Sequence, residues 1–240
     1  SLPDISNVEL SPDGKKVLSI RRLDTEQQKG SALSIYDIES GKSSYPIFTD
    51  NKKYTMGWAT WGNNEKVLIS ANFPEVRYGT PTIESRLLIL DTKTGKSRSA
   101  IPKKYIKRFR YIPQFQNQIL DMLPEDDDHF LLQLDGVSPG EDTVYKVSLS
   151  RNKMTVVQPS KNKIRSWRTD RQNNVRIAMH HEDTKYKFKH RFPNEKKWTV
   201  LWEFESFAAD QVWPMGFDED PNLLYVSALH EGRDAIFRVD

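Results

Sequence analysis

Within the 240 residues one pentapeptide has the form of an activated serine: Gly136-Val137-Ser138-Pro139-Gly140 fits G-x-S-x-G. In a nucleophile elbow the serine sits on a strand-to-helix turn, and the N–H of the next residue helps to bind the oxyanion. Pro139 has no N–H to give. The flanking runs 130–135 and 143–150 both have strand character. Ser138 is therefore expected in a polar hairpin loop, and no residue of the chain is assigned a catalytic role.

The other reactive side chains are equally dispersed. None of His129, His180, His181, His190 and His230 forms an i, i+4 pair or a cluster with metal spacing. His180 and His181 are adjacent in a strand-like run, so their rings are expected on opposite faces. Glu125-Asp126-Asp127-Asp128 offers carboxylates for calcium, but the sixth position from Asp126 is Leu131 where an EF-hand loop needs glycine. A solvated hairpin turn is expected there, and no metal or cofactor. Glycosidase chemistry needs two acids at a set separation, and the sequence places no such pair.

Two segments carry binding chemistry. In 103–111, five cations (Lys103, Lys104, Lys107, Arg108, Arg110) alternate with Tyr105, Phe109 and Tyr111. On a free surface this mixture would hold phosphates and stack bases. A blade strand burying its aromatics, with basic stems covering a rim, explains it without nucleic acid. The second segment, Asn72 to Pro81, is expected to be a lengthened loop within a blade, and long loops hold function. Glu75, Arg77 and Tyr78, together with Lys107, Arg108 and Arg110, are the candidates for touching a substrate or a neighbouring domain. Arg77 is the residue suited to a carboxylate.

The elements that must position these residues repeat along the chain. A polar turn followed by an apolar strand occurs at Ser11-Pro12-Asp13-Gly14-Lys15-Lys16-Val17-Leu18 and at Gly62-Asn63-Asn64-Glu65-Lys66-Val67-Leu68, with the valines 50 residues apart. Looser copies begin near Glu125, Asp170 and Asp218. A second half-unit, Ser34-Ile35-Tyr36-Asp37 leading to Gly41-Lys42, is echoed 54 residues later by Leu88-Ile89-Leu90-Asp91 leading to Gly95-Lys96. Short strands at even spacing define an all-β class, and radial blades keep sheet edges short. The expected fold is a β-propeller of about five blades, at 1–50, 51–103, 104–160, 161–207 and 208–240. The last blade lacks its outer strand, so truncation from a seven- or eight-bladed ring is expected.

Composition narrows the function. Thirty-six Lys and Arg against 33 Asp and Glu leave a net charge of +3, too small for a whole-chain field that selects nucleic acid or anionic lipid. The absence of cysteine removes disulfide frameworks, thiolate metal sites and cysteine nucleophiles. No apolar run reaches the ~20 residues of a membrane span. The compartment stays open between periplasm and cytoplasm, with periplasm preferred.

The turn Ser11-Pro12-Asp13-Gly14-Lys15-Lys16, with Asp37 to Lys42 and Asp91 to Lys96, resembles the blades of TolB-like propellers and of the N-terminal propeller of the prolyl oligopeptidase family. The opening Leu2-Pro3-Asp4-Ile5-Ser6-Asn7 and the ending His230 to Asp240 are most similar to the dipeptidyl peptidase and acylaminoacyl peptidase branch. The resemblance implies a partner, a C-terminal α/β-hydrolase domain of the same parent chain holding the Ser, Asp and His triad. It also implies a peptide substrate, whose access the propeller gates. The alternatives are a free-standing TolB-like propeller binding a protein partner and, third, a carbohydrate-active five-bladed enzyme.

Overall fold

The computed structural model describes residues 4–25 and 29–240; of the opening motif, residues 1–3 fall outside that range. Five antiparallel sheets follow one another along the chain. The first is β1 (Ile5–Leu10), β2 (Lys16–Asp24), β3 (Lys29–Asp37) and β4 (Lys42–Thr49). The second is β5 (Thr55–Trp61), β6 (Lys66–Arg77), β7 (Thr80–Asp91) and β8 (Ser97–Ser99). After a short helix α1 (Lys103–Ile106) comes the third: β9 (Ile119–Asp121), β10 (His129–Ser138), β11 (Glu141–Ser148) and β12 (Met154–Gln158). The fourth is β13 (Ile164–Thr169), β14 (Val175–Glu182), β15 (Lys185–His190) and β16 (Thr199–Glu205). The fifth has three described strands, β17 (Val212–Phe217), β18 (Leu224–His230) and β19 (Arg233–Val239). Each sheet is a meander in sequence order, and first strands approach one another between the first and second, third and fourth, and fourth and fifth sheets. The chain is an all-β propeller.

Apolar runs without alternation explain the stacking. Val67 and Ile69 of β6 face the first sheet, where they meet Leu18, Leu33 and Ile35. Leu68, one residue out of phase, faces the third sheet and meets Phe130, Leu132 and Val147. Leu131 and Val144 in turn meet Ile164, Trp167 and Ala178, while Ile177 and Phe188 meet Phe217 and Val226. A strand buried on both faces loses the polar alternation of a half-exposed one. Trp58, Trp61, Trp167 and Trp213 all lie on first strands.

The repeated turns have one cause. The Asp37 carboxylate accepts the Ser40 N–H at 2.8 Å and the Asp91 carboxylate accepts the Thr94 N–H at 2.9 Å. Gly41 and Gly95 then donate back to the carbonyls of Asp37 and Asp91 with φ of 67° and 68°. That left-handed position strains any residue bearing a Cβ. No helix among the described residues is long and apolar enough to cross a membrane.

Candidate functional site

In a meander of four strands, the hairpin between the second and third strands emerges at the same end as the link to the next sheet. Two such features meet where the second and third blades adjoin. They are the β6–β7 hairpin and the segment 103–118, so all six candidate residues lie at one end of the molecule.

The expected loop at 72–81 is a two-stranded ribbon. β6 and β7 stay paired out to Arg77 opposite Thr80, and Tyr78-Gly79 closes the hairpin with φ of 52° and 79°. Positive φ at both central residues matches strand twist, which is why two-residue hairpins use it. Pro74 and Pro81 suggested a loop, yet the ribbon projects past β5 and β8, and no further strand pairs with it at either proline. A missing N–H there breaks no ladder bond.

Arg77 does not stand free for a ligand. Its Nε donates to Glu84 at 2.5 Å and its Nη2 to the Ile112 carbonyl at 3.0 Å, while Arg86 binds the other oxygen of Glu84. Burial resists ionisation of Glu84, but the bonds from Arg77 and Arg86 outweigh it and hold its pKa below the ordinary glutamate value. The carboxylate that Arg77 binds is thus internal. Glu75 is exposed, and Tyr78 is fully exposed at 104%.

The segment 103–111 is not the blade strand its alternation suggested. It forms α1 and an irregular turn, and helical spacing, not period two, brings Tyr105, Ile106 and Phe109 against the core of the third blade. Phe109 lies against Gly136 and 6.2 Å from the Tyr145 ring, and the hydroxyls of Tyr105 and Tyr111 donate to the carbonyls of Met154 and Asp135. With the aromatics fixed inward, Lys103, Lys104, Lys107, Arg108 and Arg110 are exposed, and none pairs with a described carboxylate. Residues 112–118 then run beside β7, where the Ser85 N–H donates to Gln114 at 2.9 Å and Gln114 Nε2 to Thr82 Oγ1 at 2.6 Å. Ribbon and basic segment are one rim, bearing exposed Val76, Ile83, Ile112 and Phe115 beside Tyr78.

Ser138 closes an antiparallel hairpin with Glu141, so its context is strand to strand. The Gly140 N–H is held by Asp135 Oδ2 at 2.8 Å. Asp126 and Asp128 build a turn, the latter accepting from Ser148 Oγ and the Ser150 N–H. His181 stacks on Tyr186 at 4.1 Å, and burial followed by nearby lysines lowers the pKa of His180.

Three groups had no signal in the sequence. Asp142, next to that hairpin, is 7% exposed, and its carboxyl is pushed up to about 7 by burial first and then by Asp135, with Arg165 opposing. Glu84 is the anchor of the rim. Arg168, on β13, faces the axis where first strands converge.

No protein-family model matches the sequence, and no curated protein matches it. Solved structures do. The β-propeller domain of the Trilobed protease from Pyrococcus furiosus is 15% identical with a TM-score of 0.56, covering 100% of this chain and 68% of that one. Porphyromonas gingivalis dipeptidyl peptidase 4 is 11% identical with a TM-score of 0.62, over 100% of this chain and 38% of that one. An oligogalacturonate lyase in complex with manganese is 12% identical with a TM-score of 0.54, over 98% and 61%. The chain spans less than two thirds of the length of the last two. The likeness establishes the propeller fold, which peptidases and a lyase both use.

Proposed function

We propose that this propeller controls the access of peptides to a C-terminal α/β-hydrolase serine peptidase domain of the same parent chain. The rim of the second and third blades would be the surface through which it meets that domain or its substrate. The observation that supports this reading is the rim itself: five cations without carboxylate partners among the described residues, beside an exposed apolar tip formed by Val76, Tyr78 and Ile83. Apolar surface rimmed by unpaired charge marks an interaction site. Tyr78, Lys107, Arg108 and Arg110 make the contacts, Glu75 flanks them, and Arg77 holds the ribbon in place through Glu84. The likeness to peptidase propellers agrees with it.

The test joins the chain to the sequence that follows it in its gene and compares cleavage of an aminoacyl-nitroanilide with cleavage of a long peptide. The triple variant Lys107→Glu, Arg108→Glu, Arg110→Glu and the double variant Val76→Ser, Tyr78→Ser are expected to raise long-peptide cleavage relative to the nitroanilide. The propeller alone is expected to cleave neither. Unchanged size selectivity, or a gene without a hydrolase, would defeat the proposal and leave the rim as the binding face of a free-standing propeller.

A further inference from the structure

The first strands of the third, fourth and fifth blades enclose a cleft of about 360 Å3 at the axis. Its polar lining consists of Gln133, Ser166, Arg168 and Thr169, with backbone at Met215 and Gly216. There is no carboxylate among these residues. We propose that the cleft binds a carboxylate carried by a short peptide or a peptide end, with Arg168 as its counter-ion. The inference rests on the cleft's own residues and stands apart from the role of the rim.

Arg168 is singled out by what it lacks. Its only described polar contact is a long one, from Nη1 to the Met215 carbonyl at 3.4 Å. Arg168 is exposed on the lining of the cleft, and no described carboxylate pairs with it, so its guanidinium is free to take a ligand carboxylate through charge-assisted hydrogen bonds. Gln133 is oriented by accepting the Trp167 N–H at 2.9 Å through Oε1, which leaves its Nε2 a donor without a described protein partner. Trp167 is itself fixed, since its indole donates to the Asp142 carbonyl at 2.8 Å. The Gln133 donor therefore belongs to a fixed wall.

The space is open as well as polar. A Cβ placed on Gly216 would meet nothing within 4 Å. The adjoining cleft, which shares Thr169 and Gly216, is lined by four acids, Asp121, Glu125, Asp170 and Glu219, against one cation, Arg171. The sign of charge thus reverses along the axis. A zwitterionic peptide with its carboxylate at Arg168 and its ammonium group toward those acids satisfies both halves, whereas an inorganic anion uses only one.

The test is NMR titration of the isotope-labelled chain, following the Arg168 Nε–H signal and, in every variant, the Gln133 side-chain amide signals, with dialanine, dialanine amide and inorganic phosphate as probes. Dialanine is expected to give a saturable shift. The amide should bind at least about tenfold more weakly, the scale set by loss of a charged hydrogen bond. Arg168→Met should abolish binding and Arg168→Lys retain part of it. Gly216→Val, which fills the open space and keeps Arg168, should abolish it too. Equal binding of acid and amide, or wild-type binding by Gly216→Val, would overturn the site. A phosphate shift as strong as that of dialanine would overturn the peptide carboxylate in favour of a free anion. Should Arg168→Met fail to fold, the amide and Gly216→Val comparisons decide the matter.

Discussion

Asp142→Asn should make the protein more stable, and only above the acid range. The Asp142 carboxyl is 7% exposed on β11 and has no described hydrogen-bond partner, while Asp135 adds like charge and Arg165 compensates in part. Its pKa moves from 3.8 to about 7 on folding. Between those values the native state binds more protons than the unfolded state, so stability falls as pH rises through this window. The loss is complete above about pH 7, and below about pH 4 it is absent. At about 1.36 kcal/mol per pH unit, the gap corresponds to a ceiling of about 4 kcal/mol. Asparagine keeps the shape without the charge. Urea unfolding of wild type and variant at pH 4 and pH 8 checks this, with Asp142→Asn raising the midpoint at pH 8 by on the order of 1 M and by far less at pH 4. Taking the difference between the two proteins removes every other titration. Equal midpoints at pH 8, or the same increment at both values, would refute the burial argument.

Arg176 is buried with Asp170 at 3.0 Å, donates to the carbonyls of Arg191 and Pro221, and lies over the rings of Phe192 and Phe217. Arg176→Met leaves the Asp170 carboxylate unpaired and should cost about 3–5 kcal/mol in urea unfolding; a change below about 1 kcal/mol would show that the pair does not join the fourth and fifth blades. Gly30 has φ of +149°, and a Cβ there would lie 2.1 Å from the Thr49 carbonyl oxygen. Gly30→Ala should lower the melting temperature well beyond Gly79→Ala, whose Cβ meets only solvent. Gly136→Val should displace the Phe109 ring, which lies 2.6 Å from the position of a Cβ, and open the rim to trypsin at Lys107, Arg108 and Arg110; an unchanged cleavage pattern would mean that Phe109 does not fix the segment.

The blades were legible because their signals are local. The turns at Asp37 and Asp91 are closed by bonds that reach only three or four residues, so the same letters recur wherever the turn does. The run Val67-Leu68-Ile69 reads as doubly buried strand for a similarly short-range reason. The rim was misread where one letter has two meanings. Pro74 and Pro81 end a strand inside a sheet, but not where a ribbon has no further strand paired beside it. Tyr105 and Phe109 fit a strand by alternation and a helix by their separation of four. Glu84, Asp142 and Arg168 could not be found in this way, because their surroundings, Arg77, Asp135 and the Met215 carbonyl, are brought to them by the fold.

The contrast between two arginines of one sheet shows what separates structure from function here. Arg176 on β14 and Arg168 on β13 carry the same group, and neither announces a role by its place in the sequence. Arg176 has a carboxylate, two carbonyls and two rings around it, so its charge is spent on joining blades. Arg168 has one distant carbonyl. Stacking consumes the side chains of the second and third strands on both faces, whereas a first strand has one edge toward the axis that no blade covers. Unspent charge can persist there without harm to the core. The axis and the rim are therefore the two places where this fold leaves charge to spare, and in both the marker is the same: an exposed cation with no carboxylate partner among the described residues.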